Sequence, residues 1–371
     1  MQNKKMIAMF APYVSEESIA RIEKVLRGRW IGQGPLVDEF EHTVEKAVGI
    51  TKAVAVNCSS SALRLALDIS GVGPGDEVIT TPMTCTMTNH PILEQYATPV
   101  FADIQPETGN IDPTDVERRI TYRTKAIVCC HWAGYPCDLE ELNRIANRHS
   151  LPVIEDASEA FGAIYRGRPI GGISRFTAFS FQAIQLITAG EGGMLIALDP
   201  ADAQEARTKR WYGIDRERRK PNILGYYDFD VLKVGYGYHL TNIAAAIGLA
   251  NLTSLEAQQA RRQSLALRYR EAFMDVRGIA LMRSDDDRIS SNHFFAMHVE
   301  RRDDFCRMMS DNGIQVSVVH NRNDIYTVFG GTRSDLPQLE RFSRSYIGLP
   351  LHMHLTEDDV AYIIQVVQSG W

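Results

Sequence analysis

The feature that most constrains this chain is a rhythm of short apolar runs separated by helical stretches through its first two thirds. The runs fall at Ala53–Val56, Glu77–Thr80, Pro99–Asp103, Ala126–Cys130, Pro152–Glu155, Phe176–Phe181 and Gly193–Ala197. Short, nearly continuous apolar runs are the pattern of strands buried on both faces. Helix-like segments such as Ser61–Ile69 and Leu139–His149 separate most of them. Strands alternating with helices predict an α/β fold, a seven-stranded and mostly parallel sheet with helices on both faces. Two further helices, Glu16–Leu26 and Val37–Val48, precede the first run and are parted by Gly34-Pro35.

Beyond Leu252 the pattern changes to a long polar helix (Ser254–Phe273) and an alternating strand (Phe294–Val299). A helix at Asp303–Asn312 and a strand at Ile314–Val319 follow. The closing helix opens on Thr356-Glu357-Asp358-Asp359, acidic residues suited to a helix N-terminus. We read residues 1–252 as a large domain and 253–371 as a smaller α+β domain, a division that 371 residues can sustain. The net charge of −6 argues against a general nucleic-acid binder. No stretch is long and apolar enough to span a membrane. The apolar run after Lys4-Lys5 is broken by Pro12 and Glu16-Glu17, too soon for a signal peptide. Six cysteines without Cys-x-x-Cys or zinc spacing read as reduced thiols, and the expected location is the cytoplasm.

Several segments carry candidate chemistry. Asp156 closes an apolar strand, where open α/β sheets place ligand contacts, although a strand-end aspartate also serves simply to cap the next helix. Asn57-Cys58-Ser59-Ser60-Ser61 stands between a strand and a helix, where free N–H groups and hydroxyls receive a phosphate, or where a serine is only an N-cap. In this order and register these segments resemble the DegT/DnrJ/EryC1/StrS aminotransferases. So does Phe179-Ser180-Phe181-Gln182-Ala183-Ile184-Gln185, continuing to Thr188-Ala189-Gly190-Glu191-Gly192-Gly193. These are fold-type-I enzymes using pyridoxal phosphate (PLP), most of them acting on nucleotide-linked keto sugars. The resemblance runs from Trp30-Ile31 to the closing Gly370-Trp371.

That resemblance implies a set of roles. Asp156 would pair with the pyridine nitrogen of the cofactor; Ser60, Ser61 and Ser180 would hold its phosphate; Glu159 would lie near the ring. Cys85, in Thr81-Pro82-Met83-Thr84-Cys85-Thr86, falls where a residue stacks on that ring, a role a thiol serves poorly. Trp30 and Gln33 belong to a loop that approaches substrate, and His320 and Arg322 to a segment of the nucleotide-sugar pocket. His239, in Gly235-Tyr236-Gly237-Tyr238-His239, is a candidate general base in a dimer-interface loop. His131 is a weaker candidate beside Trp132. His352 and His354 read as a solvated pair, with no third ligand for a metal.

Two positions depart from the pattern. The family's cofactor lysine is Gln185 here, and a carboxamide can neither form a Schiff base nor carry the proton that transamination needs. No lysine occurs between Lys125 and Lys209, and Lys233 has no argument behind it as a substitute. Gly237 stands where an Asn or Lys commonly reaches the partner's cofactor phosphate. Three readings result. The first is a sugar aminotransferase, with glutamate as donor and a nucleotide-linked keto-6-deoxy sugar as acceptor, in which Gln185 traps the reaction. The second is a dehydratase using pyridoxamine phosphate (PMP) without a covalent anchor. The third is a non-catalytic homologue that binds a sugar nucleotide or a partner subunit. A homodimer with shared sites is implied in each.

Overall fold

In a computed structural model, residues 6–371 are described; Lys4-Lys5 lies outside them. All seven expected runs form strands: β1 (Ala53–Val56), β2 (Glu77–Thr80), β3 (Thr98–Phe101), β4 (Thr124–Cys130), β5 (Val153–Asp156), β6 (Phe176–Ser180) and β7 (Gly193–Ala197). They build one sheet in the order β1-β7-β6-β5-β4-β2-β3. Only β7 runs antiparallel, pairing with β1 and β6, while the β2, β3, β4, β5 and β6 pairings are parallel.

Helices α1 (Glu16–Gly28), α2 (Pro35–Val48), α3 (Ser59–Ile69), α4 (Thr86–Glu94), α5 (Pro113–Arg119), α6 (Leu139–Arg148), α7 (Pro200–Lys209) and α8 (Asn242–Leu252) surround this sheet. The break read at Gly34-Pro35 is the start of α2: Gly34 is its N-cap, and Pro35 occupies the first turn, where its missing N–H costs nothing. Alternate strand residues enter opposite cores. Val54 and Val56 join Leu63, Leu65, Ile154 and Leu195 on one face; Ala53 and Ala55 join Phe40, Val44, Phe179 and Leu249 on the other. Each large aliphatic side chain buried there contributes about 1.5–3 kcal/mol.

The later residues form α9 (Leu255–Phe273), α10 (Arg302–Asp311), α11 (Pro337–Ser345) and α12 (Glu357–Gln368) around an antiparallel sheet of β8 (Ile279–Leu281), β9 (Phe295–Val299) and β10 (Tyr346–Leu349). The acidic start of α12 is a capping box between Thr356 and Asp359. Met83, Phe101 and Trp132 pack with Phe294, Phe342 and Tyr346, tying the two sheets' regions together. One expected strand does not form. Ile314–Val319 makes only isolated bridges, Ile314 to Ile7 in parallel and Ser317 to Gly348 antiparallel, one pair with each neighbour and so no ladder. Among the described residues, no helix is long and apolar enough to cross a membrane, and all six cysteines are free.

Candidate active site

The parallel strands deliver their carboxyl ends to one edge of the sheet, and antiparallel β7 brings its first residue, Gly193, to the same edge. Gly193 lies between Val56 of β1 and Ser180 of β6. A Cβ there would sit 2.4 Å from the carbonyl group of Cys58, so glycine is what lets β7 pass beneath the start of α3. No side chain caps α3. Its first-turn N–H groups thus carry the partial positive charge of an 11-residue helix without a carboxylate or hydroxyl partner. Ser60 and Ser61 stand on that turn; Ser61 donates to Asn57 Oδ1 at 2.7 Å and Ser60 to the Met87 carbonyl at 3.3 Å. Ser180 accepts from the Gln182 N–H at 3.3 Å, which leaves its own hydroxyl proton free.

Asp156 ends β5 and is 4% exposed. Its Oδ1 accepts from the N–H and hydroxyl of Ser158, at 3.0 and 2.6 Å, and its Oδ2 from Thr88 Oγ1 at 2.6 Å. Thr84 hydrogen-bonds Thr88 in turn, at 2.7 Å. A carboxylate has about four acceptor positions, so Oδ2 keeps one unfilled. Cys85 is the N-cap of α4, and burial, with the charges of Asp156 and Glu159 behind it, pushes its thiol up, so it stays a neutral contact.

Glu159 is buried, and each of its oxygens has a partner. Its Oε2 accepts from the Ala133 N–H at 2.8 Å, its Oε1 lies 2.6 Å from His320 Nε2, and His293 Nε2 is 3.9 Å away. Burial pushes this carboxyl up, but His320, His293 and the Ala133 N–H together outweigh it and hold the group below its ordinary range. Burial likewise pushes His320 down, and Glu159 outweighs that too, leaving the imidazole raised. For His293 the balance goes the other way: burial outweighs the pull of Glu159 and drives it down to about 4, so it is neutral at pH 7.

The turn after β6 carries Gln185. Its N–H donates to the Gln182 carbonyl, and its Oε1 is buried without a hydrogen-bond partner. His239 is held beside the end of β1: its backbone bridges to Val56, its ring packs 4.0 Å from Trp211, and burial, then Arg210 and Arg216, lower it. No hydrogen bond joins it to Asp156, Glu159 or Gln185 among the described residues. Trp30 and Gln33 line a separate cleft of about 370 Å³ with Arg207, Arg210 and Arg216. Arg322 commits its guanidinium to Asp324, at 2.7 Å through two nitrogens, and to Glu340. His131 is wholly buried against Glu155 at 2.9 Å. His352 is buried as well, bonded to the Ala8 carbonyl at 3.0 Å, which corrects its reading as one of a solvated pair.

Sequence reasoning missed Thr88, Thr84 and His293. The spacing of four between the threonines was a usable signal, since it puts both on one side of a helical start; His293 offered none.

Residues 12–368 match the model of the DegT/DnrJ/EryC1/StrS aminotransferase family, and the chain belongs to that family. It is 35% identical over 372 residues to the spore coat polysaccharide biosynthesis protein SpsC of Bacillus subtilis (strain 168), covering 96% of this chain and 95% of that one. Its fold matches the sugar aminotransferase CalS13 of Micromonospora echinospora with a TM-score of 0.94 at 34% identity, covering 99% and 100% of the two chains. It also matches Spr1654 of Streptococcus pneumoniae in a PLP-form, with a TM-score of 0.91 at 28% identity and 98% of each chain covered. The PMP-form of that protein gives 0.91 at 27%, covering 98% of this chain and 97% of that one.

Proposed function

We propose that this chain is a sugar aminotransferase-type protein that holds PLP or PMP without a covalent bond. The observation that carries the reading is Asp156 with one acceptor position left on Oδ2, at the same sheet edge as the uncapped start of α3. The donor set suits the cofactor: N–H groups and hydroxyls for a phosphate, a carboxylate for a protonated ring nitrogen, and an unpartnered carboxamide oxygen at Gln185. When bound, the cofactor supplies an amine and an electron sink. The chain's own residues do the rest. Ser180 and the first turn of α3 hold the phosphate, with Ser60 and Ser61 turning their hydroxyls onto it from the Met87 carbonyl and Asn57; Asp156 keeps the ring nitrogen protonated, and Glu159 and Cys85 border the ring. Family membership and the likeness to CalS13 support a nucleotide-linked keto-6-deoxy sugar as acceptor and glutamate as donor. In this reading residues 1–252 hold the cofactor, residues 253–371 form the smaller domain, His320 faces substrate, and the protein works in the cytoplasm.

The homodimer belongs to the same proposal. A hairpin at residues 220–228 and the chain after it expose Ile223, Leu224, Leu232 and Val234, of which Ile223 is 102% exposed. Apolar area of that kind favours burial against a second copy. Sedimentation as a monomer at micromolar concentration would remove the dimer from the reading.

The test of function is a single-turnover assay with PMP and a panel of nucleotide-linked 4-keto-6-deoxy sugars, read by mass spectrometry. An aminated product supports the aminotransferase, and a product lacking a hydroxyl the PMP-dependent dehydratase. Failure to bind PLP or PMP refutes the cofactor reading. A second reading, the non-catalytic homologue, is favoured by one observation: Gln185 offers no titratable atom where the family has an amine. Sugar-nucleotide binding with neither cofactor binding nor turnover would establish it.

A further inference from the structure

We propose that His320, oriented by Glu159, is the proton carrier of this site, in place of the amine that position 185 lacks. The inference rests on the cofactor-site reading above and deepens it. His320 Nε2 lies 2.6 Å from Glu159 Oε1, and Glu159 is itself fixed by the Ala133 N–H on its other oxygen. The histidine is held by its surroundings as well: Tyr346 donates its hydroxyl to the His320 carbonyl. Three residues on, the Asn323 N–H donates to the Pro82 carbonyl at 2.7 Å, and its amide to the Thr84 carbonyl at 2.6 Å. Asn89 donates to Asn323 Oδ1 at 2.9 Å. These bonds clamp the histidine's loop onto the segment whose Thr88 holds Asp156. Among the described residues the second ring nitrogen, Nδ1, has no hydrogen-bond partner, and the side chain keeps 17% of its surface open.

The groups around the ring divide its two nitrogens between two tasks. Glu159 and Asp156 favour the imidazolium, and the phenol of Tyr346 is fixed on the histidine's own carbonyl. His293 is neutral, with the buried Arg262 behind it. The step balances simply. The imidazolium releases its Nδ1 proton to an acceptor in the site; the neutral ring keeps its Nε2 proton on Glu159, and water restores the one lost. In the other direction neutral Nδ1 takes up a proton and the pair becomes ionic. No oxidant or reductant is involved. Glu159 acts as a positioning residue: it fixes the ring's orientation and which nitrogen stays bonded.

Two measurements on the full chain test the proposal. The first is an NMR titration of the histidine rings without ligand, with His320→Asn used to assign the signal. His320 is expected to titrate above an ordinary imidazole and to move down in Glu159→Gln. A His320 that titrates normally in both proteins overturns the pairing. The second is single turnover with PMP and keto sugar across a pH series. His320→Asn should slow turnover by about a hundredfold or more with PMP affinity unchanged. Added imidazole should recover part of the rate, and Glu159→Gln should shift the pH profile in step with the NMR titration. Turnover unaffected by His320→Asn overturns the proposal while the aminotransferase reading stands. A wild-type chain that binds PMP and sugar but moves no proton overturns it too, leaving the binding site intact. Absence of PMP binding removes both readings.

Discussion

Gly193→Ala is the substitution that most directly tests how the fold builds the phosphate cradle. The new Cβ would lie 2.4 Å from the carbonyl carbon and oxygen of Cys58 and 2.6 Å from the Ser59 nitrogen. All three are backbone atoms, so no rotamer change relieves the contact. Strand β7 cannot retreat, because Gly193 is paired on one side with Val56 and on the other with Ser180. The start of α3 must therefore shift by close to an ångström to restore ordinary contact. Overpacking of this kind costs about 1–3 kcal/mol of stability. The same shift moves the first-turn N–H groups, Ser60 and Ser61 away from any anion they share with Ser180. Each charge-assisted hydrogen bond lost costs about 1.5–3 kcal/mol, so PLP or PMP affinity should fall about ten- to a hundredfold or more. Gly192→Ala is the control: its Cβ would meet Leu240 at 3.3 Å and Ala189 and Phe181 at 3.5 Å, contacts that side chains can absorb. Equilibrium dialysis with PMP gives affinity, and urea denaturation gives stability. Gly193→Ala with wild-type affinity and stability would refute the cradle, as would equal losses in both variants.

Three further outcomes are expected. Gln185→Lys, given PLP, should gain a visible absorbance band and a mass increment after borohydride reduction; bound cofactor without either change would show that residue 185 does not face it. Asp324→Ala should destabilise the protein by about 3–5 kcal/mol in urea, because it strands the buried guanidinium of Arg322 with only the half-exposed Glu340; a loss under about 1 kcal/mol would mean that the pair is not buried in solution. Stability should also fall on acidification. The lowered value of His293 gives stability that is complete above the ordinary imidazole range and is lost as pH falls toward about 4. The lowered Glu159 acts in the same direction further into acid, whereas the raised His320 contributes below the ordinary imidazole value and is lost as pH rises through its own. The His293 share is about 2 kcal/mol between pH 7 and pH 5. A His293→Gln variant should flatten that part of the profile, and a slope identical to wild type would exclude His293 as its source.

What the sequence made legible follows from how far apart the interacting residues lie along it. The seven strands could be read because each is buried on both faces and announces itself within a few residues; Ile314–Val319 looks the same locally, but its partners, Ile7 and Gly348, are set by the tertiary fold. Asp156, Ser60, Ser61 and Ser180 were legible as ligand candidates because strand ends and helix starts are local features. The contact of Glu159 with His320 spans 161 residues, and that of Thr88 with Asp156 spans 68, so no spacing rule could find them. The two departures in the motif show the same limit. In the sequence, Gly237 is only a missing side chain. In the structure, a Cβ there would lie 2.7 Å from the Tyr212 hydroxyl and 3.1 Å from its ring, so the phenol fills the space a longer residue at 237 would take. The space beside position 237 is thus taken up by the side chain of Tyr212. Restoring lysine at 185 returns an amine but no donor at 237. Within one protomer, any phosphate held by Gln185→Lys must then be held by the start of α3 and Ser180, the same groups that Gly193→Ala displaces.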